Sequence, residues 1–239
     1  MTTLVSAFLS NVNSRRPLEE YIEFGKHFLL SNINKVIFID ETIYDLVSIY
    51  ENEKTRFIKI NKKTIYLYAY IDKIINYSLY GADDTKDTLD YIIIMCNKTE
   101  WIKEAIELDL YKSDQFVWVD FGIRHVFNCN DDEFCSKIER LCHKLYDKVR
   151  IASIWDLNVQ SSKDCYTMIM WYFAGGVFGG SKDKLLLFAD LMKKKCLNII
   201  ESKGTLMWEV NVWYLIYQEN IGLFDIYYCD HNNSIIDNY

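Results

Sequence analysis

The chain has 239 residues, half of them hydrophobic and 15% aromatic, and a formal net charge of −7. That length and composition exclude a disordered chain and are enough for one sizeable core. The acidic balance argues against non-specific nucleic-acid binding, which needs clustered Lys and Arg to neutralise phosphate.

In chain order, residues 3–9 are a β-rich run followed by a polar turn at 10–16, and 18–30 repeat their apolar residues with helical spacing. Residues 35–39 (KVIFI) are a short apolar run, as expected of a strand buried on both faces, and end at Asp40. A helix is predicted over 43–50, a strand over 57–60, and helices over 71–79 and 98–108, the latter starting near Asn97 or Thr99. Residues 116–119 form another apolar strand, ending at Asp120. This alternation predicts an α/β fold with a mostly parallel, Rossmann-like sheet flanked by helices. Ligands of such sheets bind beyond the carboxyl ends of the strands. That crevice would collect Ser10 and Asn11, Asp40 and Glu41, and Asp120. In the second half, 133–149 read as an amphipathic helix and 166–173 as a dense apolar and aromatic run. A glycine-rich turn is expected at 174–180, then helices over 182–200 and 208–217 and a late strand at 226–228. The basic run Lys193-Lys194-Lys195, near Lys182 and Lys184, reads as a solvated helix face. Neither a repeat nor a linker interrupts the chain, so one domain spanning 1–239 is expected.

The seven cysteines (96, 129, 135, 142, 165, 196 and 229) contain no CxxC pair, which disfavours a disulfide framework or a zinc finger and suits a reducing, cytoplasmic setting. Cys135 and Cys142 are expected to be buried thiols. No apolar run is long enough to span a bilayer, and the apolar N-terminus lacks the charged region of a signal peptide. Peripheral contact with a membrane stays open.

Four stretches could carry chemistry. The apolar strand ending at Asp120, with Gly122 two places on, either caps a turn or places an acid where a sugar-nucleotide transferase holds a divalent cation or the donor ribose. Gly175-Gly176 and Gly179-Gly180 suit close backbone approach to a ligand, or simply a tight turn; no G-K-[ST] makes them a P-loop. Trp208-Glu209 could pair a stacking indole for an acceptor sugar with a general base whose pKa an apolar neighbour raises, or be an ordinary helix segment. Asp230-His231-Asn232 could complete a cation site or meet a diphosphate, or be a surface turn. His27, His125 and His143 read as structural or surface residues. Hydrolase patterns (G-x-S-x-G, H-E-x-x-H) are absent, and Cys142-His143 point different ways on a helix.

The run from Asn97-Lys98 through Trp101, followed by Trp118-Val119-Asp120-Phe121-Gly122, resembles the WlaTC/HtrL (YibB) family of bacterial lipopolysaccharide-type glycosyltransferases. The opening Val5-Ser6-Ala7-Phe8, the 174–180 glycines, Trp208-Glu209 and Asp230-His231-Asn232 are similar to it as well. The resemblance implies a GT-A-type fold with a nucleotide-sugar-binding half (1–125) and an acceptor half (126–239). It implies a nucleotide-sugar donor and a glycan or glycoconjugate acceptor. Donor contacts would come from Ser6, Asn11, Arg15, Asp40, Lys98, Asp120, Gly122, Gly175, Gly176 and His231. Lys98 would neutralise the diphosphate, and Glu209, beside Trp208, would be the acceptor-side base. Gly122 leaves the usual pair of acids incomplete. A manganese or magnesium ion would then be held by Asp120 with Asp230 or His231, or Lys98 would take its place. Three rivals to transfer are nucleotide-sugar binding without turnover, a nucleotidyltransferase that uses Arg15 and Arg16 in the glycine-free 10–16 turn, and a structural interaction protein.

Overall fold

The computed structural model describes residues 1–10, 12, 14–159, 161 and 164–239. The apolar runs become strands β1 (Thr2–Phe8), β2 (Lys35–Asp40), β3 (Thr55–Ile60) and β4 (Gln115–Val119), then β5 (Val149–Ser153), β6 (Phe173–Ser181) and β7 (Phe224–Tyr228). They form a 7-stranded sheet in the order β3-β2-β1-β4-β6-β5-β7. β3, β2, β1 and β4 are mutually parallel, β6 runs antiparallel to both β4 and β5, and β5 pairs in parallel with β7. The mostly parallel, Rossmann-like sheet flanked by helices that the sequence predicts is present. It is continuous across both halves of the chain.

Helices cover both faces: α1 (Leu18–Leu30), α2 (Tyr44–Val47), α3 (Leu89–Cys96), α4 (Lys98–Leu108), α5 (Asp131–Arg140), α6 (Lys182–Lys203), α7 (Glu209–Glu219) and α8 (Ser234–Asp237). Strand side chains alternate between two cores, as the pleat requires. Val36, Phe38, Phe116 and Trp118 pack with α3, α4, α6 and α7. Ile37, Ile39, Val117 and Val119 pack with α1, α5 and α8. No helix among the described residues is long and apolar enough to cross a membrane.

Four expectations change. Residues 71–79 do not form an α-helix: Tyr66–Lys73 is a 3-10 helix, and Asn76 bonds across to Lys203 and Gly204 at the end of α6. The helix expected over 43–50 is the short α2 followed by a 3-10 turn, Ser48–Tyr50. The helix expected to reach residue 149 stops at Arg140, because Gln115 captures the backbone of Lys144 and Tyr146 and steers the chain into β5. The glycine-rich run is no turn but most of β6. A Cβ at Gly179 would lie 2.6 Å from the Phe116 carbonyl oxygen. At Gly180, where φ is +153°, one would lie 2.3 Å from the Lys148 carbonyl oxygen. Only glycine lets β6 fit between its neighbours there. All seven cysteines are free; Cys135 and Cys142 are half-buried, and burial pushes the Cys142 thiol up to about 12.

Candidate active site

The site is built on a column of aromatic rings. Trp118 of β4 stacks between Trp101 of α4 (6.0 Å) and Phe178 of β6 (6.3 Å), which fixes its indole. The indole N–H then donates to Asp120 Oδ1 at 2.7 Å. The Asp120 amide donates to the Gly176 carbonyl at 2.9 Å, continuing the β4–β6 pairing one step past the strand. The acid therefore stands at the carboxyl end of β4 with both backbone and one side-chain oxygen constrained.

Helices α3 and α4 meet at Asn97, so Lys98 is the first residue of α4. A cation is unfavourable at a helix N-terminus. Two carboxylates offset that cost. Lys98 Nζ lies 2.9 Å from Asp120 Oδ1 and 3.0 Å from Glu209 Oε1, and it donates to the Gly175 carbonyl at 3.0 Å. Three oxygens thus match the three ammonium donors. Lys98 is only 1% exposed. Burial alone would lower its pKa, but the charges of Asp120 and Glu209 outweigh burial, and the group ends above the ordinary lysine value. Glu209 opens α7, where the helix dipole favours a negative charge. A Cβ at Gly175 would lie 2.5 Å from Glu209 Oε1, so the missing side chain makes room for the carboxylate.

Sequence reasoning placed Asp120, Glu209, Lys98, Gly175 and Gly176 near one another, and the structure does bring these five together. It changes the roles of others. Lys98 is enclosed, and its donors are committed to protein oxygens, so it does not reach out to neutralise a diphosphate itself. Trp208 is buried and its N–H donates to Asp87 Oδ1 at 3.2 Å, so it offers no open face for sugar stacking. Ser6 is completely buried within β1, away from any open surface. Asp40 is a local tie: Oδ2 accepts from the Ser10 amide (3.0 Å) and hydroxyl (2.6 Å), and Oδ1 from the Thr42 amide (2.9 Å) and hydroxyl (2.8 Å). Burial raises the Asp40 pKa, yet those four bonds more than reverse it, and it lies below the ordinary carboxylate value. Gly122 starts a 3-10 turn (Ile123–Val126), and its carbonyl contacts His125 Nδ1 at 2.6 Å. Asn11 lies outside the described residues. Arg15, Asp230 and His231 are exposed, with the His231 ring 6.4 Å from that of His125.

Three contributors carried no sequence motif. Asn211 is fully buried in α7; its amide donates to the carbonyls of Cys165 (2.6 Å) and Met168 (2.8 Å) and accepts from the Met170 amide (2.8 Å). It ties the 165–170 loop to the helix that presents Glu209. A polar amide between Val210 and Val212-Trp213 was the available signal. Asp87 holds Trp208 and, through its carbonyl, the Tyr77 hydroxyl at 2.6 Å. Tyr91 of α3 faces the site: burial, then the charges of Glu209, Asp120 and Asp87, hold its hydroxyl well above the ordinary tyrosine pKa.

The residues do not fit a resident divalent ion. Among the described residues no three His, Cys, Asp or Glu side chains converge, so Asp120, Asp230 and His231 do not form the expected set. Asp120 Oδ1 is already committed to Lys98 and Trp118.

Residues 2–235 match a family described as "bacterial protein of unknown function (HtrL_YibB)". The chain belongs to the HtrL_YibB family. The resemblance seen in the sequence is therefore one of membership, although the family description carries no activity. No curated protein matches the chain. Among solved structures, this HtrL_YibB member is similar to mouse xyloside xylosyltransferase 1 in its apo form. That match has 12% identity and a TM-score of 0.47, and covers 95% of this chain and 85% of that one. It is also similar to 4-diphosphocytidyl-2C-methyl-D-erythritol synthase from Anaerococcus prevotii, with 10% identity, a TM-score of 0.43, and 96% and 86% coverage. A third is CMP:2-keto-3-deoxy-manno-octonic acid synthetase complexed with CTP, with 8% identity, a TM-score of 0.43, and 95% and 89% coverage. At these TM-scores none of the three bears on activity.

Proposed function

We propose that this chain is a nucleotide-sugar-dependent glycosyltransferase acting on a hydroxyl of a glycan or glycoconjugate. One observation carries the reading: Asp120 from the first half and Glu209 from the second meet on one buried ammonium at the carboxyl end of β4. Strand carboxyl ends are where α/β sheets bind ligands. Residues 1–125 would serve the donor, and 126–239 the acceptor.

In this reading Asp120 orients the donor with Oδ2, because Oδ1 is taken. Glu209 accepts the acceptor's hydroxyl proton on Oε2, which accepts no hydrogen bond among the described residues. The acceptor oxygen then bonds to the anomeric carbon as the bond from that carbon to the diphosphate oxygen breaks, and a nucleoside diphosphate leaves. Lys98 positions both acids. Leaving-group charge stabilisation would be the largest contribution.

The test is thermal stability against a panel of UDP-, GDP- and CMP-sugars, since a ligand of the folded state raises the melting point by mass action. One donor should shift the wild type and fail to shift Asp120→Asn, a variant that keeps the size and one acceptor oxygen of the acid. Turnover with an acceptor should then release a nucleoside diphosphate from a UDP- or GDP-sugar, or CMP from a CMP-sugar. No shift from any donor at millimolar concentration overturns the reading. A shift without turnover makes the chain a nucleotide-sugar-binding protein, and release of pyrophosphate from a nucleoside triphosphate makes it a nucleotidyltransferase.

A further inference from the structure

Trp208 is closed to a sugar, so an acceptor that stacks needs another aromatic face. Of the six tryptophans, Trp101, Trp118, Trp208 and Trp213 are buried. The other two reach the surface: Trp155 is half-buried and Trp171 is 37% exposed. They lie opposite one another. Strands β5 and β6 meet at the carboxyl end of the sheet through Ser153 and Phe173, and their pairing runs on past it. The Ile154 amide donates to the Tyr172 carbonyl at 3.1 Å, and the Trp155 amide to the Trp171 carbonyl at 2.9 Å. Trp171 also leads directly into β6 and Gly175, whose carbonyl holds Lys98 beside Glu209. Four residues of chain span at most about 14 Å.

The connection that carries both indoles, residues 154–172, has no helix or strand among its described residues. A connection of that length without regular structure is uncommon and usually functional. Helix α7, which presents Glu209, holds it in place. Asn211 bonds to the backbone of Cys165, Met168 and Met170. Tyr214 stacks on the buried Tyr172 at 3.9 Å. The Tyr172 hydroxyl donates to the Val159 carbonyl at 2.6 Å and accepts from the Ser161 amide at 2.8 Å, and its ring meets that of Trp155 edge to face at 5.5 Å. A plain connection needs no buried polar side chains to fix it. A binding face does, because order built in beforehand is not lost on binding. Next to Trp155 in the chain, Asp156 and Asn158 are exposed, with the Asn158 amide donating to Asp156 Oδ1 at 2.9 Å. An aromatic plane flanked by short polar side chains suits a pyranose, which has a C–H face and a hydroxyl edge.

We propose that Trp171 and its neighbour Trp155 form a sugar-stacking platform for the acceptor glycan. The inference deepens the transferase reading and rests on it for the use to which the glycan is put. The platform stands apart from Glu209 along β6, so it takes a sugar behind the one that reacts. The acceptor is then an oligosaccharide and not a single sugar.

The probe is an array of defined oligosaccharides, to which the full chain is applied without any nucleotide. A subset should capture the wild type. Trp171→Ala should weaken that capture at least about tenfold, the scale of truncating one aromatic anchor, and Trp171→Phe, which keeps an aromatic face, should recover most of it. In solution a captured oligosaccharide should shield the wild type from acrylamide, bringing the quenchable tryptophan fluorescence down toward that of Trp171→Phe; this reading needs no Ala variant to fold. No capture of the wild type, equal capture of Trp171→Ala, or capture without shielding overturns the platform. So does Trp171-dependent binding to phosphatidylglycerol vesicles without glycan capture, which makes the indole a membrane contact. If a nucleotide sugar stabilises the protein and glycan capture ignores Trp171, the platform falls and the transferase reading stands. If a glycan is held through Trp171 while no nucleotide sugar binds, the platform stands and the transferase reading falls.

Discussion

Two lysines are buried at opposite ends of the same sheet, and they are held in opposite ways. Lys98, at the carboxyl end, is 1% exposed and sits between two carboxylates; its pKa is raised. Lys35, at the start of β2, is fully buried and donates to the carbonyls of Ser31 (2.5 Å) and Ile33 (3.0 Å), and among the described residues no carboxylate pairs with it. Burial dominates there and lowers the Lys35 pKa to about 8. Carbonyl dipoles satisfy the ammonium's donors but do not cancel its charge; only a counter-charge does both. The amino end thus uses a lysine to clamp the α1–β2 turn, while the carboxyl end uses one to hold two acids side by side.

The comparison breaks most visibly if Lys98 is removed. In Lys98→Met the Asp120 and Glu209 carboxylates face each other without a cation, one of them buried. Breaking a buried pair by deleting one partner typically costs about 3–5 kcal/mol. Urea unfolding at neutral pH should show a loss of that order. A loss under about 1 kcal/mol would mean that the carboxylates separate or take up protons freely, and that Lys98 is no hub.

Lys35 should behave differently, and its behaviour is a matter of pH. Its native value of about 8 lies below the ordinary 10.5, so between those two values the unfolded chain holds more proton than the native one. Stability therefore rises with pH across that window. Measured against Lys35→Met, which cannot titrate, the wild type should gain up to about 3 kcal/mol between pH 8 and 10.5. The subtraction removes the groups that do not feel Lys35; the raised Cys142 thiol, whose charge couples to Lys35, is removed by making both measurements in a Cys142→Ser background. A flat difference would put Lys35 in the same class as Lys98.

Lys35 carries no motif, and Lys98 was singled out only through the resemblance and for another role; that marks the boundary of what could be read in the sequence. Asp120 was legible because an apolar run ending in an acid is a local pattern, and the alternation of strands and helices carried the sheet. The meeting of Lys98 with Glu209 joins residues 111 positions apart, and no local period reports such a contact. Lys98 was expected at the diphosphate because the family resemblance implied it; at the Asn97 joint between α3 and α4 its side chain is buried against Asp120 and Glu209 instead. The glycines of β6 were read as a turn because glycine density usually marks one. Their use here, close approach of a strand to Phe116 and Lys148 and of Gly175 to Glu209, depends on tertiary neighbours. Asn211 was passed over for the same reason, since its three hydrogen bonds go to a loop 41–46 residues away.

A third lysine sharpens the contrast at its smallest scale. Lys195 of α6 donates to both oxygens of Glu219 on α7, at 2.6 and 2.8 Å, a geometry at least as short as that of Lys98. Glu219 is 61% exposed, however. Water already solvates both charges, and ordering two long side chains offsets much of the Coulomb gain. Lys195→Ala should therefore cost less than about 1 kcal/mol in urea unfolding, and high salt should shrink even that. If the loss instead approached that of Lys98→Met, short distance alone would explain both pairs. The burial of Lys98 and the two-carboxylate cage around it would then no longer be what distinguishes the site.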